Sequence, residues 1–248
     1  MKKLNLILTI VLAFALWSCE DGESAFEFDN QGTSTSGSIA KFQIDSKYLY
    51  VVEENSLSIY DVTDFEQLSQ LSKVYVDREV ETLFRLGDIL YLGTTSGVLF
   101  YDITNVNQPS YVSSYDHITA CDPVVSDGSY AYSTLRSSNT CGGGSDVLDI
   151  INLSDISAPS LTASYDVASP YGLVLFDNYL YVGQGLNGMK VFDITDVTAV
   201  TEVVSYDEIT AIDFIRDGDN LIITTRTGLV QAKVGDDGTL SILSKINY

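Results

Sequence analysis

The sequence predicts an all-β fold, a five-bladed β-propeller of four-stranded blades, and three observations carry that expectation. Sixteen Tyr and 18 Gly against one Trp and four Pro favour many short strands joined by tight turns. Sliding the chain against itself aligns Tyr50, Tyr91, Tyr132, Tyr181 and Ile222, at spacings of 41, 41, 49 and 41 residues. A second register agrees: SLSIYDVT from Ser56, GVLFYDIT from Gly97, DVLDIINLS from Asp146 and GMKVFDIT from Gly188 share one apolar, acid, apolar, hydroxyl pattern, with Asn152 replacing the acid in the third. A unit of about 41 residues is too long for one hairpin and suits four short strands with their turns, which is a propeller blade. With 248 residues, 45% of them hydrophobic, the chain has enough apolar mass for a large core, and intrinsic disorder is excluded.

The first element is an address. Lys2 and Lys3 precede an apolar run from Leu4 to Trp17, a charged region followed by a hydrophobic region too short to span a bilayer. The run ends in Leu16-Trp17-Ser18-Cys19, which resembles the lipobox of bacterial lipoproteins. The resemblance implies removal of residues 1–18, lipidation of Cys19 and attachment to the outer membrane, with Trp17 departing from the small residue usual at its place. Residues 19–37 follow as an acidic and polar stretch that cannot bury a core and reads as a tether. The acids after Cys19 also resemble a tag that sends some lipoproteins to the cell surface.

The five units then fill residues 38–248. In the second, VETLFRL (80–86) reads as strand A, Gly87-Asp88 as a turn, ILYLGT as strand B, GVLFYDI as strand C and SYVSSYD (110–116) as strand D. Strand B is apolar on both faces, as a strand sandwiched between blades should be, whereas D alternates like a half-exposed outer strand. Asp127-Gly128, Asp177-Asn178 and Asp217-Gly218 repeat the A to B turn. The fifth unit departs most, with Val234-Gly235 in place of the acid-bearing core, but it keeps a D strand in TLSILSKI.

These units resemble the LVIVD-repeat family of bacterial and archaeal cell-surface proteins, through YLYVGQGLNGMKVFDIT (179–195) and GVLFYDITNVNQPSYVSSYD (97–116). The resemblance implies a propeller and brings no catalytic motif with it.

The charge is the next feature to explain. Acidic residues outnumber basic ones 34 to 13, for a net charge of −21, or −23 once Lys2 and Lys3 are removed. Such a surface repels nucleic-acid phosphates and anionic membranes, so no nucleic-acid partner is expected and the membrane is met only through the lipid. Asp61, Asp102 and Asp193 recur at one strand C position, and Asp116, Asp166 and Asp207 at the end of strand D. Recurrence in blade after blade points to turn chemistry rather than catalysis. No stretch has the spacing of a calcium loop; no cofactor is expected, and adventitious calcium at the acidic rim is the one ion the composition accommodates.

Cys121 and Cys141 remain as a pair in an oxidising setting, and a disulfide between them would pin the insertion of the 49-residue unit. For a binding site, the face carrying the D to A and B to C loops is the expected one. Its strand A positions are Ala40, Glu81, Asp122, Tyr171 and Ile212, with Asp77, Arg78, His117, Arg136, Gln184 and Arg226 around them. The expected function is non-enzymatic binding of a protein or glycan there. The alternative is a glycan-active enzyme using Glu81 and Asp122 as acid and base at the axis, against which stands the absence of Trp from the mature chain.

Overall fold

The computed structural model describes residues 37–45, 47–117, 123–137 and 145–248. They form five four-stranded antiparallel sheets, each a meander in chain order, arranged as a five-bladed β-propeller. Blade 1 holds β1 (Phe42–Asp45), β2 (Tyr48–Glu53), β3 (Ser56–Asp61) and β4 (Ser69–Tyr75). Blade 2 holds β5 (Val80–Leu86), β6 (Ile89–Thr94), β7 (Gly97–Asp102) and β8 (Ser110–Asp116), the strands the repeat predicts. Blade 3 comprises β9 (Val124–Ser126), β10 (Tyr130–Leu135), β11 (Val147–Asn152) and β12 (Ser160–Asp166), and blade 4 comprises β13 (Leu173–Phe176), β14 (Tyr179–Gly183), β15 (Met189–Asp193) and β16 (Thr201–Tyr206). Blade 5 is β17 (Ala211–Asp217), β18 (Asn220–Thr225), β19 (Gly228–Val234) and β20 (Leu240–Asn247). A 3-10 turn, Gly185–Asn187, lies between β14 and β15.

The repeat positions carry the packing. Tyr50, Tyr91, Tyr132 and Tyr181 are all buried, and the Tyr181 hydroxyl donates to the Gly238 carbonyl of the next blade at 2.8 Å. Burial pushes the Tyr50 hydroxyl up to about 12, which keeps it a neutral donor. Outer strands are tied to the following blade by a second recurring contact. Ser72 Oγ donates to Val106 O, Ser113 Oγ to Ile156 O and Tyr165 Oη to Val197 O, while Tyr206 Oη accepts from Leu240 N. Gly97 begins β7 at φ 141°, where an added Cβ would overlap the Tyr115 carbonyl of the paired strand.

Four buried apolar clusters seal the junctions between consecutive blades. Leu57 and Ile59 meet Leu83 and Leu92 between blades 1 and 2, and Tyr91 and Phe100 meet Val124 and Ala131 between blades 2 and 3. Leu148 and Ile150 meet Leu180 and Val182 between blades 3 and 4, and Tyr181 and Val191 meet Phe214 and Ile223 between blades 4 and 5. Among the described residues no such cluster joins blade 5 to blade 1. There Leu49, Val51 and Tyr60 of blade 1, and Ile215, Ile222 and Leu229 of blade 5, remain half-buried, and Phe42 is 53% exposed.

The polar closure lies near the axis. Residues 37–40 form a turn closed by Ala40 N donating to Gly37 O at 3.1 Å, and this strap reaches three blades. The Ala40 carbonyl accepts from Leu83 N of blade 2, and Ser38 Oγ accepts from Leu173 N of blade 4 at 2.8 Å. Ser38 N and Ser38 Oγ both donate to Asp213 Oδ1 of blade 5, at 3.0 and 3.1 Å. Gly37 is itself buried, because a Cβ there would collide with the Asp213 carboxylate.

The acids that recur in strand C serve in turns, whereas at the end of strand D Asp116 pairs with Arg78 and Asp207 accepts from the Ser205 hydroxyl. Asp61, Asp102 and Asp193 accept from the amides of Thr63, Thr104 and Thr195 at 2.7 to 2.8 Å, and Asn152 does the same with Ser154. The threonine hydroxyl and amide hold each of these three carboxyls below the ordinary range. Asp237 Oδ1 accepts from the Thr239 amide and hydroxyl in the hairpin turn at Asp236-Asp237-Gly238 before β20.

Candidate functional site

The expected binding face comes out as two separate clusters around an occupied mouth. The strap of residues 37–40 crosses the end of the channel where the strand A positions Ala40, Tyr171 and Ile212 begin, so that end is not an open concavity. Arg78 is committed to Asp116, with Nη1 at 2.5 Å from Oδ1, and the guanidinium holds that carboxyl below its usual range. Glu81 lies in the same blade entrance, where burial pushes its carboxyl up and Lys41 opposes the shift. His117 sits with its ring centroid 6.2 Å from that of Tyr115.

The second cluster belongs to blades 3 and 4. The Arg136 guanidinium lies 3.8 Å from the centroid of the Tyr171 ring, and Gly185 leaves room for that ring because a Cβ there would meet it. Gln184, expected on the rim, is only 2% exposed and donates from Nε2 to Ala168 O at 2.8 Å. That corrects its expected role: it is a packing amide that ties off a loop. Arg226 is exposed. Asp122, Cys19, Cys121 and Cys141 lie outside the described residues, and so do the expected lipidation and disulfide.

The concavity is at the other end of the strands. Below the strap, the channel widens into a cavity of about 230 Å³ that opens among the A to B turns. Phe84, Leu86, Val125, Leu173, Val174 and Phe214 give it apolar walls, and Ser38 closes its inner end. Four polar side chains line it from strand A: Arg85, Ser126 and Arg216 at one repeat position near the A to B turns, and Gln43 one position deeper; the Ser126 hydroxyl is taken up by the Tyr130 carbonyl and the Gly128 amide. A broader groove of about 620 Å³ runs from it between blades 3 and 4, lined by Tyr130, Tyr132, Asn178, Asp196 and Thr198, and the two share Asp127 and Asp177.

The polar groups divide by depth. Arg85 Nη1 pairs with Asp45 Oδ2 at 2.5 Å, its guanidinium lies 5.6 Å from the Tyr50 ring centroid, and its Nε is buried with no hydrogen-bond partner. Gln43 is 5% exposed and spends its carbonyl oxygen on the Arg85 amide at 2.9 Å. Arg216 stacks 3.9 Å from the Phe176 ring centroid, and its nearest carboxylate oxygen, on Asp177, is 3.8 Å away. Asp127 is satisfied by the amides of Ser129 and Tyr130 and by the Tyr132 hydroxyl.

Sequence comparison places these residues. An LVIVD-repeat model matches residues 36–76, 142–167 and 172–208, which are blade 1, the outer half of blade 3 and blade 4. The chain belongs to the LVIVD-repeat family. Blades 2 and 5 fall outside the matched ranges although they share the strand order. No curated protein matches significantly. Among solved structures, the chain is similar to a functionally unknown protein from Desulfotomaculum acetoxidans (TM-score 0.68, 11% identity, 84% of this chain and 69% of that one). It is also similar to a protein from Lactobacillus plantarum (0.65, 15%, 82% and 70%) and to a periplasmic gluconolactonase from Pseudomonas aeruginosa (0.61, 14%, 81% and 67%). At these identities the likeness of the LVIVD-repeat propeller to them is one of fold.

Sequence reasoning missed Arg85 and Arg216, yet a signal for them existed. Each stands six residues before the repeat anchor, Tyr91 or Ile222, where the other units have Ile44, Ser126 and Leu175. Variation at this repeat position marks them four residues, about 13 Å of strand, beyond the strand A positions Glu81 and Ile212 named for the opposite face.

Proposed function

We propose that this LVIVD-repeat propeller is a non-enzymatic binding module, held at the outer membrane by a lipid on Cys19, which receives a protein or glycan partner on the face of the A to B turns. The observation that carries the reading is the continuous concavity of cavity and groove on that face, mainly apolar at its centre and polar at its edge, which is the usual make-up of a ligand site. The enzyme alternative required Glu81 and Asp122 to face one accessible pocket at the opposite mouth, and the strap crosses that mouth. Asp61, Asp102 and Asp193, the acids that recur in strand C, are engaged by turn amides, which leaves them poorly suited to proton transfer.

The test is a glycan array probed with the purified full chain, alongside a Tyr130→Ala, Asp196→Lys variant of the groove and a Glu81→Ala, Tyr171→Ala variant of the strapped mouth. Binding should fall by about tenfold or more in the groove variant and stay within about twofold in the mouth variant. The opposite ranking overturns the choice of face. Cleavage of a bound glycan by the wild-type chain overturns the non-enzymatic reading.

A further inference from the structure

We propose that the central cavity is a site for a small monocarboxylate with an apolar body, the carboxylate lying at Arg85, Gln43 and Arg216. The proposal rests on the reading of this face as a binding face and adds the chemical class of one ligand. Size comes first: at about 230 Å³ the cavity falls below the range of drug-sized pockets and admits a small metabolite rather than a folded segment.

Polarity decides the head group. The polar groups of strand A are richer in donors than in acceptors. Gln43 gives one lone pair of its carbonyl oxygen to Arg85 N and has its amide to donate to a ligand. Ser38 Oγ is bonded on both sides, to Asp213 and from Leu173 N. Arg85 keeps a buried Nε donor with no acceptor among the described residues, an expensive omission. Arg216 gives Nε and Nη1 to the Gly218 and Leu175 carbonyls at 3.3 and 3.4 Å, and its Nη2 stands 3.8 Å from its nearest carboxylate, too long for a direct hydrogen bond, which leaves that nitrogen as a donor. A surplus of guanidinium and amide donors calls for a group rich in lone pairs, and a carboxylate is the compact organic group that matches guanidinium geometry.

Polarity also limits the rest of the molecule. Deeper on strand A than Arg85 and Arg216 the walls are Phe, Leu and Val, which favours hydrocarbon. A second negative charge finds no place: those walls do not solvate it, and the mouth carries Asp127 and Asp177, the latter with a side chain 77% exposed.

Titration calorimetry of the full chain with hexanoate, hexanamide, hexan-1-ol and adipate tests this. Hexanoate should bind about tenfold or more tighter than hexanamide and hexan-1-ol, and adipate more weakly than hexanoate. Arg85→Lys keeps a cation for Asp45 but loses the planar donor, and Arg216→Lys leaves the Asp45 pair untouched. Each should cost hexanoate about tenfold and leave hexan-1-ol unchanged, with the thermal midpoint of each variant confirming that it folds. Equal binding of hexanoate and hexan-1-ol overturns the carboxylate assignment while leaving the binding face standing. Adipate matching hexanoate overturns the role of the rim acids. No binding of any of the four overturns the cavity as a site, and the glycan array judges the face independently.

Discussion

Asp213→Asn will flatten the dependence of stability on pH between about pH 4 and pH 7. Asp213 is 8% exposed, and burial is the largest influence on its carboxyl, raising it from 3.8 to about 6 against the opposing hydrogen bonds of Phe214, Ser38 and Ile39. A raised value means that the folded state holds the proton more tightly than the unfolded chain. The resulting stabilisation is complete below the unfolded value of 3.8 and is lost as pH rises through about 6. A shift of this size corresponds to about 3 kcal/mol. The turn acids act with the opposite sign. Asp61, Asp102, Asp193 and Asp237 are held low by threonine hydroxyls and amides, so their contribution is present above the ordinary carboxylate value and fades as pH falls through the lowered one. Urea midpoints should therefore rise from pH 7 toward pH 5 and fall at stronger acid. Asp213→Asn should remove the first limb and keep the second. A wild-type midpoint that is level from pH 7 to pH 5 would show that Asp213 is not buried beneath the strap.

Leu92→Ala should cost about 3 kcal/mol, because Leu92 is fully buried between blades 1 and 2 and its removal leaves a cavity among Leu57, Ile59 and Leu83. Leu49→Ala, in strand B of blade 1 on the face turned away from blade 2, should cost about 1 kcal/mol or less, since Leu49 is half-buried and belongs to none of the four inter-blade clusters. Denaturant unfolding of the two variants checks both numbers. Equal costs would mean that blade 5 packs on blade 1 as tightly as the other blades pack on one another.

The contrast between those leucines marks how far the sequence could be read. Both sit in strand B of an apolar repeat, and a repeat predicts that every unit has a neighbour on each side. It therefore gave five blades of four strands correctly, down to the strands of blade 2, because blade packing and A to B turns recur every 41 residues. It left open the meeting of the first and last blades, which occurs once and has no second copy to compare. The strap shows the same limit. Gly37 reads as the last residue of a polar tether and Ser38 as the first of the repeat units, and only the fold brings Asp213, 175 residues later, onto Ser38. The sequence does not show the strap, so the face of the D to A loops is the natural expectation, whereas the variation that distinguishes Arg85 and Arg216 lies at the other end of strand A.

The central claim is that this propeller closes one end of its channel with residues 37–40 and offers the other end to a ligand. Methyl NMR of the chain titrated with hexanoate tests it most directly. The structure predicts shifts at Leu86, Val125, Leu173 and Val174, which line the cavity, with Ile39 and Ile212 at the strapped end unmoved. Shifts concentrated at Ile39 and Ile212, with the four cavity residues unchanged, would contradict it.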